Sequence, residues 1–173
     1  MSGMLKVLAS GIIILGGGYI GLLIASGFEV RVRQLEQLRL ALVQMEFSIG
    51  FLKLPLAQAI EGAARSRNGA VSEILSSAAK DVSGGLSPSA ALERAMLKNR
   101  SELCLKNTDI EIMTEFALRL GEGDRDSELC NINAACAKLK LAYDEAVCDR
   151  DSRAKLWRGV GLLAGCFAVV LLI

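Results

Sequence analysis

The 22 residues from Val7 to Phe28 carry no charge; Lys6 precedes them and Glu29 follows. Wound into a helix at ~1.5 Å per residue, this run reaches ~33 Å, enough to cross a bilayer core of ~30 Å. Its apolar content is dense, with Ile12-Ile13-Ile14-Leu15 and Leu22-Leu23-Ile24. A second uncharged run closes the chain: the 15 residues Gly159 to Ile173 end in Val169-Val170-Leu171-Leu172-Ile173. That segment reaches only ~22 Å, and bilayer thinning with Trp157 and Arg158 anchored at the interface closes the difference. The pattern therefore predicts transmembrane helices at 7–28 and 159–173 around a middle domain at 29–158. A cleaved signal peptide fits less well, because Ala25-Ser26-Gly27 is a poor cleavage site and the arginines beyond it resist export.

The charges beside the two runs set a direction. Lys6 lies outside the first, with Arg31, Arg33 and Arg39 inside; Arg150, Arg153, Lys155 and Arg158 precede the second and no charge follows it. Both asymmetries predict a cytoplasmic middle domain, with the ends crossing outward as a membrane hairpin.

Of the 20 Lys+Arg and 19 Asp+Glu, only Lys6 falls outside 29–158, so the middle domain is neutral. It lacks the surplus cations with which nucleic-acid binders displace phosphate counterions, and no nucleic acid is expected as a partner. The chain has no histidine, which removes Ser/His/Asp triads, Cys–His dyads and Cys₂His₂ zinc sites. Its five cysteines (Cys104, Cys130, Cys136, Cys148, Cys166) are odd in number and form no CxxC pair. They fit a reducing compartment and read as small buried side chains.

Periodicity predicts an all-α domain of about six helices. Leu35, Leu38, Leu42, Met45, Ile49 and Leu52 are spaced 3,4,3,4,3 on a first helix from about Glu29 to Leu52. After Pro55 come an Ala-rich helix from Leu56 to Arg67 and a third from Ala70 to Val82. Ser87 and Pro88 read as N-cap and first residue of a fourth helix ending near Lys98. Thr108 is expected to cap a fifth helix, with Glu111 completing a capping box and Ile112, Phe116 and Leu120 facing inward. The sixth begins near Asp124 and repeats Leu129, Ile132, Cys136, Leu139, Tyr143 and Ala146 at 3,4,3,4,3. No alternating run predicts a strand.

The remaining motifs are modest. Gly121-Glu122-Gly123-Asp124 matches the GxGD of intramembrane aspartyl proteases, yet it falls between two amphipathic helices. It reads better as an interhelix joint, Gly121 ending one helix and Asp124 capping the next, with Gly123 between. A calcium loop beginning at Asp124 fails, since Leu129 occupies its glycine position and Ala135 its final glutamate. Gly17/Gly21 and Gly161/Gly165 are four apart inside the apolar runs, a spacing that lets membrane helices pack closely. Arg31, Arg33 and Arg39 on the first helix, with Asp109, Glu111 and Glu115 on the fifth, are candidate partner surfaces. No pair of acids marks a pocket, so neither catalysis nor a cofactor or metal is expected.

Taken in order, several elements resemble the stage III sporulation protein AB family over essentially the whole chain. These are the Leu-x-x-Leu-Arg-x-Ala-Leu run at Leu35 to Leu42, then Glu46, Ile49 and Pro55-Leu56. Asp109, Phe116, Leu120-Gly121 and Asp124-Arg125 follow, and Lys155-Leu156-Trp157-Arg158 with Gly161 and Gly165 completes the match. Ser48 departs from a usual glutamate, Phe51 from a tyrosine, Leu54 from a small polar residue and Glu128 from a glutamine. The resemblance implies a non-enzymatic membrane scaffold of the mother cell–forespore transport complex, similar to the inner-membrane platform protein of type II secretion and type IV pilus systems. Implied partners are a hexameric secretion-type ATPase, other channel proteins and the lipid bilayer, with self-association compatible. The implied location is the mother-cell membrane around the forespore. A general secretion or pilus platform is the alternative; it predicts a duplicated helical domain, and the chain contains no internal repeat.

Overall fold

A computed structural model describes residues 2–121 and 123–154, with side chains from residue 26 to 152 apart from 122, and at Gly16 and Tyr19. Among these residues the protein is all α. The helices are α1 (Ser2–Gly50), α2 (Leu56–Arg65), α3 (Gly69–Ser83), α4 (Pro88–Lys98), α5 (Asn107–Leu118) and α6 (Arg125–Asp149). A 3-10 turn at Arg100–Glu102 lies between α4 and α5, and α6 runs into a π turn at Arg150–Ala154. The chain divides into two compact units: Arg33–Asp144, and the flanking residues up to Val32 together with those from Glu145 onward.

In the unit 33–144, the seam on α1 is buried at Leu35, Leu38, Leu42, Met45 and Ile49, and the seam on α6 at Ile132 and Leu139. Full burial of each such side chain contributes roughly 1.5–3 kcal/mol. The two helices run antiparallel. The Cys136 thiol reaches the Arg39 carbonyl at 3.6 Å. Near the other end, a methyl placed on Gly50 would lie 3.4 Å from Leu129 Cδ2. The Arg125 guanidinium donates to the Gly50 carbonyl, setting a cation on the negative pole of α1.

Alanines shape the layer made by α2, α3 and α4. Ala59, Ala63, Ala64, Ala78, Ala79, Ala91 and Ala95 are all buried, and their small side chains bring the helices close around Ile60, Val71, Ile74, Leu75 and Leu92. Ser72 Oγ donates to the Ala64 carbonyl at 2.9 Å, tying the start of α3 to the end of α2. Ser87 caps α4 as expected, its Oγ accepting the Ala90 N–H at 3.3 Å with Pro88 in the first turn.

Several expectations are corrected. The helix read as starting near Glu29 is the later part of one 49-residue helix. Leu52, placed on the buried seam, is exposed because α1 ends at Gly50 and the chain turns. The cap of α5 is not Thr108 with Glu111. The helix starts at Asn107, and Asp109 Oδ2 accepts the Lys106 N–H at 2.9 Å. The cysteines are not small buried side chains: Cys104, Cys130 and Cys148 are exposed and Cys136 is half-buried.

In the flanking unit, Arg31 and Asp149 form an ion pair at 3.5 Å, with side chains 5% and 13% exposed. Among the described residues no helix is long and apolar enough to cross a membrane. The segment 159–173, with Gly161 and Gly165, lies outside the described residues, as do the surroundings of Gly17 and Gly21 within α1.

Candidate functional site

Three pieces of chain meet where α1 ends: the turn before α2, the α5–α6 joint and the first turn of α6. Phe51 and Leu52 N–H groups both donate to the Phe47 carbonyl, and the Leu54 N–H donates to the Ser48 carbonyl at 3.0 Å. Closing this turn puts Lys53 at φ 54°, the one non-glycine residue with positive φ among the described residues. That conformation costs an L-residue roughly 1–2 kcal/mol.

The joint begins earlier than its sequence suggests, since α5 ends at Leu118 and not at Gly121. Gly121 adopts φ +83°, and a Cβ there would sit 2.7 Å from Pro88 Cγ, so glycine is required twice over. Asp124 Oδ1 accepts the Ser127 N–H at 3.0 Å, the N-cap bond of α6. Its hydrogen bonds with Ser127 hold the Asp124 carboxyl below its usual range. The spacing of Gly121, Gly123 and Asp124 thus serves a helix–turn–helix joint.

Glu128 stands inside this corner, one turn into α6, and is 8% exposed. The Gly121 N–H donates to its Oε1 at 2.5 Å, while its Oε2 has no hydrogen-bond partner. Burial pushes the Glu128 carboxyl above its ordinary value, and the backbone N–H groups of Gly121 and Gly123 pull it partly back. Beside it opens a cavity of about 270 Å³. Ile49, Leu54 and Leu56 form its apolar wall, and Lys53 and Arg125 bring two cations to it. Sequence reasoning marked the glycines and Asp124 as a joint and met Glu128 only as a departure from a usual glutamine, with no place in a site. The available signal was an acid four residues after the cap aspartate, where a side chain can reach back to a preceding turn.

The candidate partner residues differ in exposure. Arg31 is 4% exposed and engaged with Asp149, and Asp109 is 1% exposed and spent on the α5 cap. Burial takes both out of any open surface. Arg39 is half-buried, with its Nε lacking a partner. Arg33 and Glu111 are exposed. Glu115 is exposed and paired with Lys138 of α6, which through its hydrogen bond and charge, aided by Arg119, holds the carboxyl below its usual range. Of these six, Arg33, Glu111 and Glu115 are the exposed ones.

A different residue ties α1 to the chain beyond α4. Gln34 is buried, its Nε2 donating to the Glu102 carbonyl and its Oε1 accepting the Cys104 N–H, both at 2.8 Å. On the exposed side of α1, the rings of Phe47 and Phe51 stack with centroids 5.4 Å apart. No group of three or more Cys, Asp or Glu side chains is placed to hold a metal ion among the described residues.

Comparison with known proteins is consistent along the chain. Residues 6–173 match the family model described as stage III sporulation protein AB. A curated relative, stage III sporulation protein AB of Bacillus subtilis (strain 168), is 29% identical over 170 residues, covering 98% of this chain and 99% of the relative. A solved structure of stage III sporulation protein AB superposes with a TM-score of 0.64 at 30% identity, covering 69% of this chain and 94% of that one. With a family model spanning all but its first five residues, the chain belongs to the stage III sporulation protein AB family.

Proposed function

We propose that this chain is a membrane scaffold of the mother cell–forespore transport complex, its helical domain on the cytoplasmic side coupling a hexameric secretion-type ATPase to channel proteins in the membrane. The family supports the sporulation setting. The observation that carries the membrane reading is the Arg31–Asp149 pair. It lays the segment after the first uncharged run beside the segment before the second. That is the arrangement a membrane hairpin needs. Arg150 and Arg153 follow directly, where cationic side chains can meet lipid phosphates. The neutral charge of the middle domain and its joints devoted to packing suit a component that binds other proteins and performs no chemistry.

Sidedness is testable with the native cysteines, because Cys104, Cys130 and Cys148 are exposed in the structure. A membrane-impermeant thiol reagent should label them only after the cells are permeabilised. Labelling in intact cells would overturn the cytoplasmic assignment. A tagged copy in sporulating cells should concentrate on the membrane engulfing the forespore and co-purify with the ATPase. Even membrane staining with no ATPase recovered would sink the scaffold reading.

A further inference from the structure

We propose that two copies of this chain dimerise through the outer faces of α1 and α6, the two helix pairs closing into a four-helix bundle. The proposal deepens the scaffold reading, and it rests on that reading for setting both copies in one membrane. Neighbouring elements fix which faces are open. On α6 the Cys136 thiol reaches α1, while Asn131 donates to the Phe116 carbonyl at 3.1 Å and Lys138 meets Glu115, both on α5. Ile132 and Leu139 are buried between them, so the remaining side carries Cys130, Ala134, Ala137 and Leu141, all exposed. On α1, Arg39 and Gly50 lie toward α6, and Gln34 lies toward Glu102 and Cys104. The remaining side carries Arg33, Glu36, Leu40, Val43 and Phe47, spaced 3,4,3,4; Leu40 is half-buried and the others are exposed. Both faces therefore open on the same side of the α1–α6 pair.

Their side chains complement one another in size. Phe47 is 52% exposed on a face of large residues, while α6 offers alanines and a cysteine. A twofold axis along the helix pair is the symmetry open to two copies in one membrane. It sets α1 of each copy against α6 of the other, antiparallel and at equal height, as in an up-down-up-down bundle. Heights are marked within one chain, where Arg39 adjoins Cys136 and Gly50 adjoins Leu129. On that scale Phe47 falls level with Cys130 of the second copy, Val43 with Ala134 and Leu40 with Ala137. Each of these layers sets a large residue against a small one, which is how facing helices interdigitate.

Charge selects the same register. Arg33 falls level with Asp144 of the second copy and Glu36 with Lys140, two pairs of opposite sign. Among the described residues, none of these four forms an ion pair within its own chain. Packing α1 against α1 around the same axis would instead bring Arg33 to Arg33 and Glu36 to Glu36. The α1–α6 face thus carries its own complement, and a second copy is the partner that supplies it.

The first test oxidises the full chain with copper phenanthroline in membranes of the cells that express it. Phe47→Cys should yield a covalent dimer through native Cys130, stronger than any band the parent gives, and adding Cys130→Ser should remove it. The second measures dimerisation of the full chain in detergent micelles. Arg33→Asp should raise the dissociation constant about tenfold, and adding Asp144→Arg should restore it, a reciprocal rescue that a folding defect would not show. No covalent dimer with Phe47→Cys, or a band that survives Cys130→Ser, would overturn the proposal. So would dimers indifferent to the charge changes, which would assign association to the uncharged runs alone. Loss of ATPase recovery in Arg33→Asp with dimerisation intact would overturn it too, giving the face to that partner. A monomeric chain that still localises and recovers the ATPase would refute the dimer and keep the scaffold. A dimer with this register in a chain that does neither would refute the scaffold and keep the dimer.

Discussion

A carboxylate buried with one oxygen bonded and the other orphaned makes Glu128 sensitive to pH. Its folded value is raised above the ordinary 4.5, so the folded state holds this proton more tightly than the unfolded state does. The contribution is favourable below pH ~4.5, where both states are protonated, and is lost as pH rises through the raised value. Glu128→Gln removes the ionisation. Chemical denaturation should find that variant more stable than the parent at pH 7, by on the order of 1 kcal/mol. The difference should vanish near pH 4, and an unchanged difference across that range would contradict the account. Gly121 makes the opposite prediction. Gly121→Ala adds a Cβ 2.7 Å from the Pro88 ring, at a φ that L-residues avoid. We expect a loss of ~2–3 kcal/mol, read as a lower unfolding midpoint in urea, from left-handed strain plus the displaced ring. Neither effect could be foreseen from spacing alone. Sequence marks a glycine after a helix as a stop, but only the fold brings Pro88 against it.

Among the helices, legibility followed the reach of the signal. The 3,4 spacing of Leu35 to Ile49 reports burial of one helical face, and those five residues are buried. The α4 start was equally plain, because Ser87 and Pro88 act on their own backbone. The α5 start was misplaced because Thr108 has the residue type of an N-cap, whereas the N-cap is Lys106, whose N–H is taken by Asp109 from the third helical position. Gln34 was invisible for another reason: its partners lie 68 and 70 residues away, and nothing local distinguishes it from a surface glutamine. Gln34→Leu should release the Glu102 carbonyl and the Cys104 N–H, uncoupling the 99–106 segment from α1. We expect a loss of ~1–2 kcal/mol, since exposed Glu102 and Cys104 can recover water as a partner. Hydrogen exchange at Cys104 should accelerate more than exchange at Leu42 on the seam, a pattern that a uniform loss of stability would not produce.

At the scale of the molecule, the distribution of buried apolar side chains says which part of the chain carries its own core. Among the described residues, all of them except Val32 and Ala146 fall between Leu35 and Ala142. Among the described residues the unit 33–144 therefore holds the hydrophobic burial that drives folding. The mean hydropathy of +0.40 belongs to the whole chain and misdescribes this unit, which contains neither run. A fragment of residues 33–144 should thus behave as a water-soluble helical domain. It should elute without detergent as a discrete species, show a helical circular-dichroism spectrum and unfold in one cooperative thermal transition. The full chain should need detergent to do the same. If the fragment aggregated, or melted without cooperativity, the core would depend on the flanking segments, and residues 33–144 would not be a self-sufficient domain.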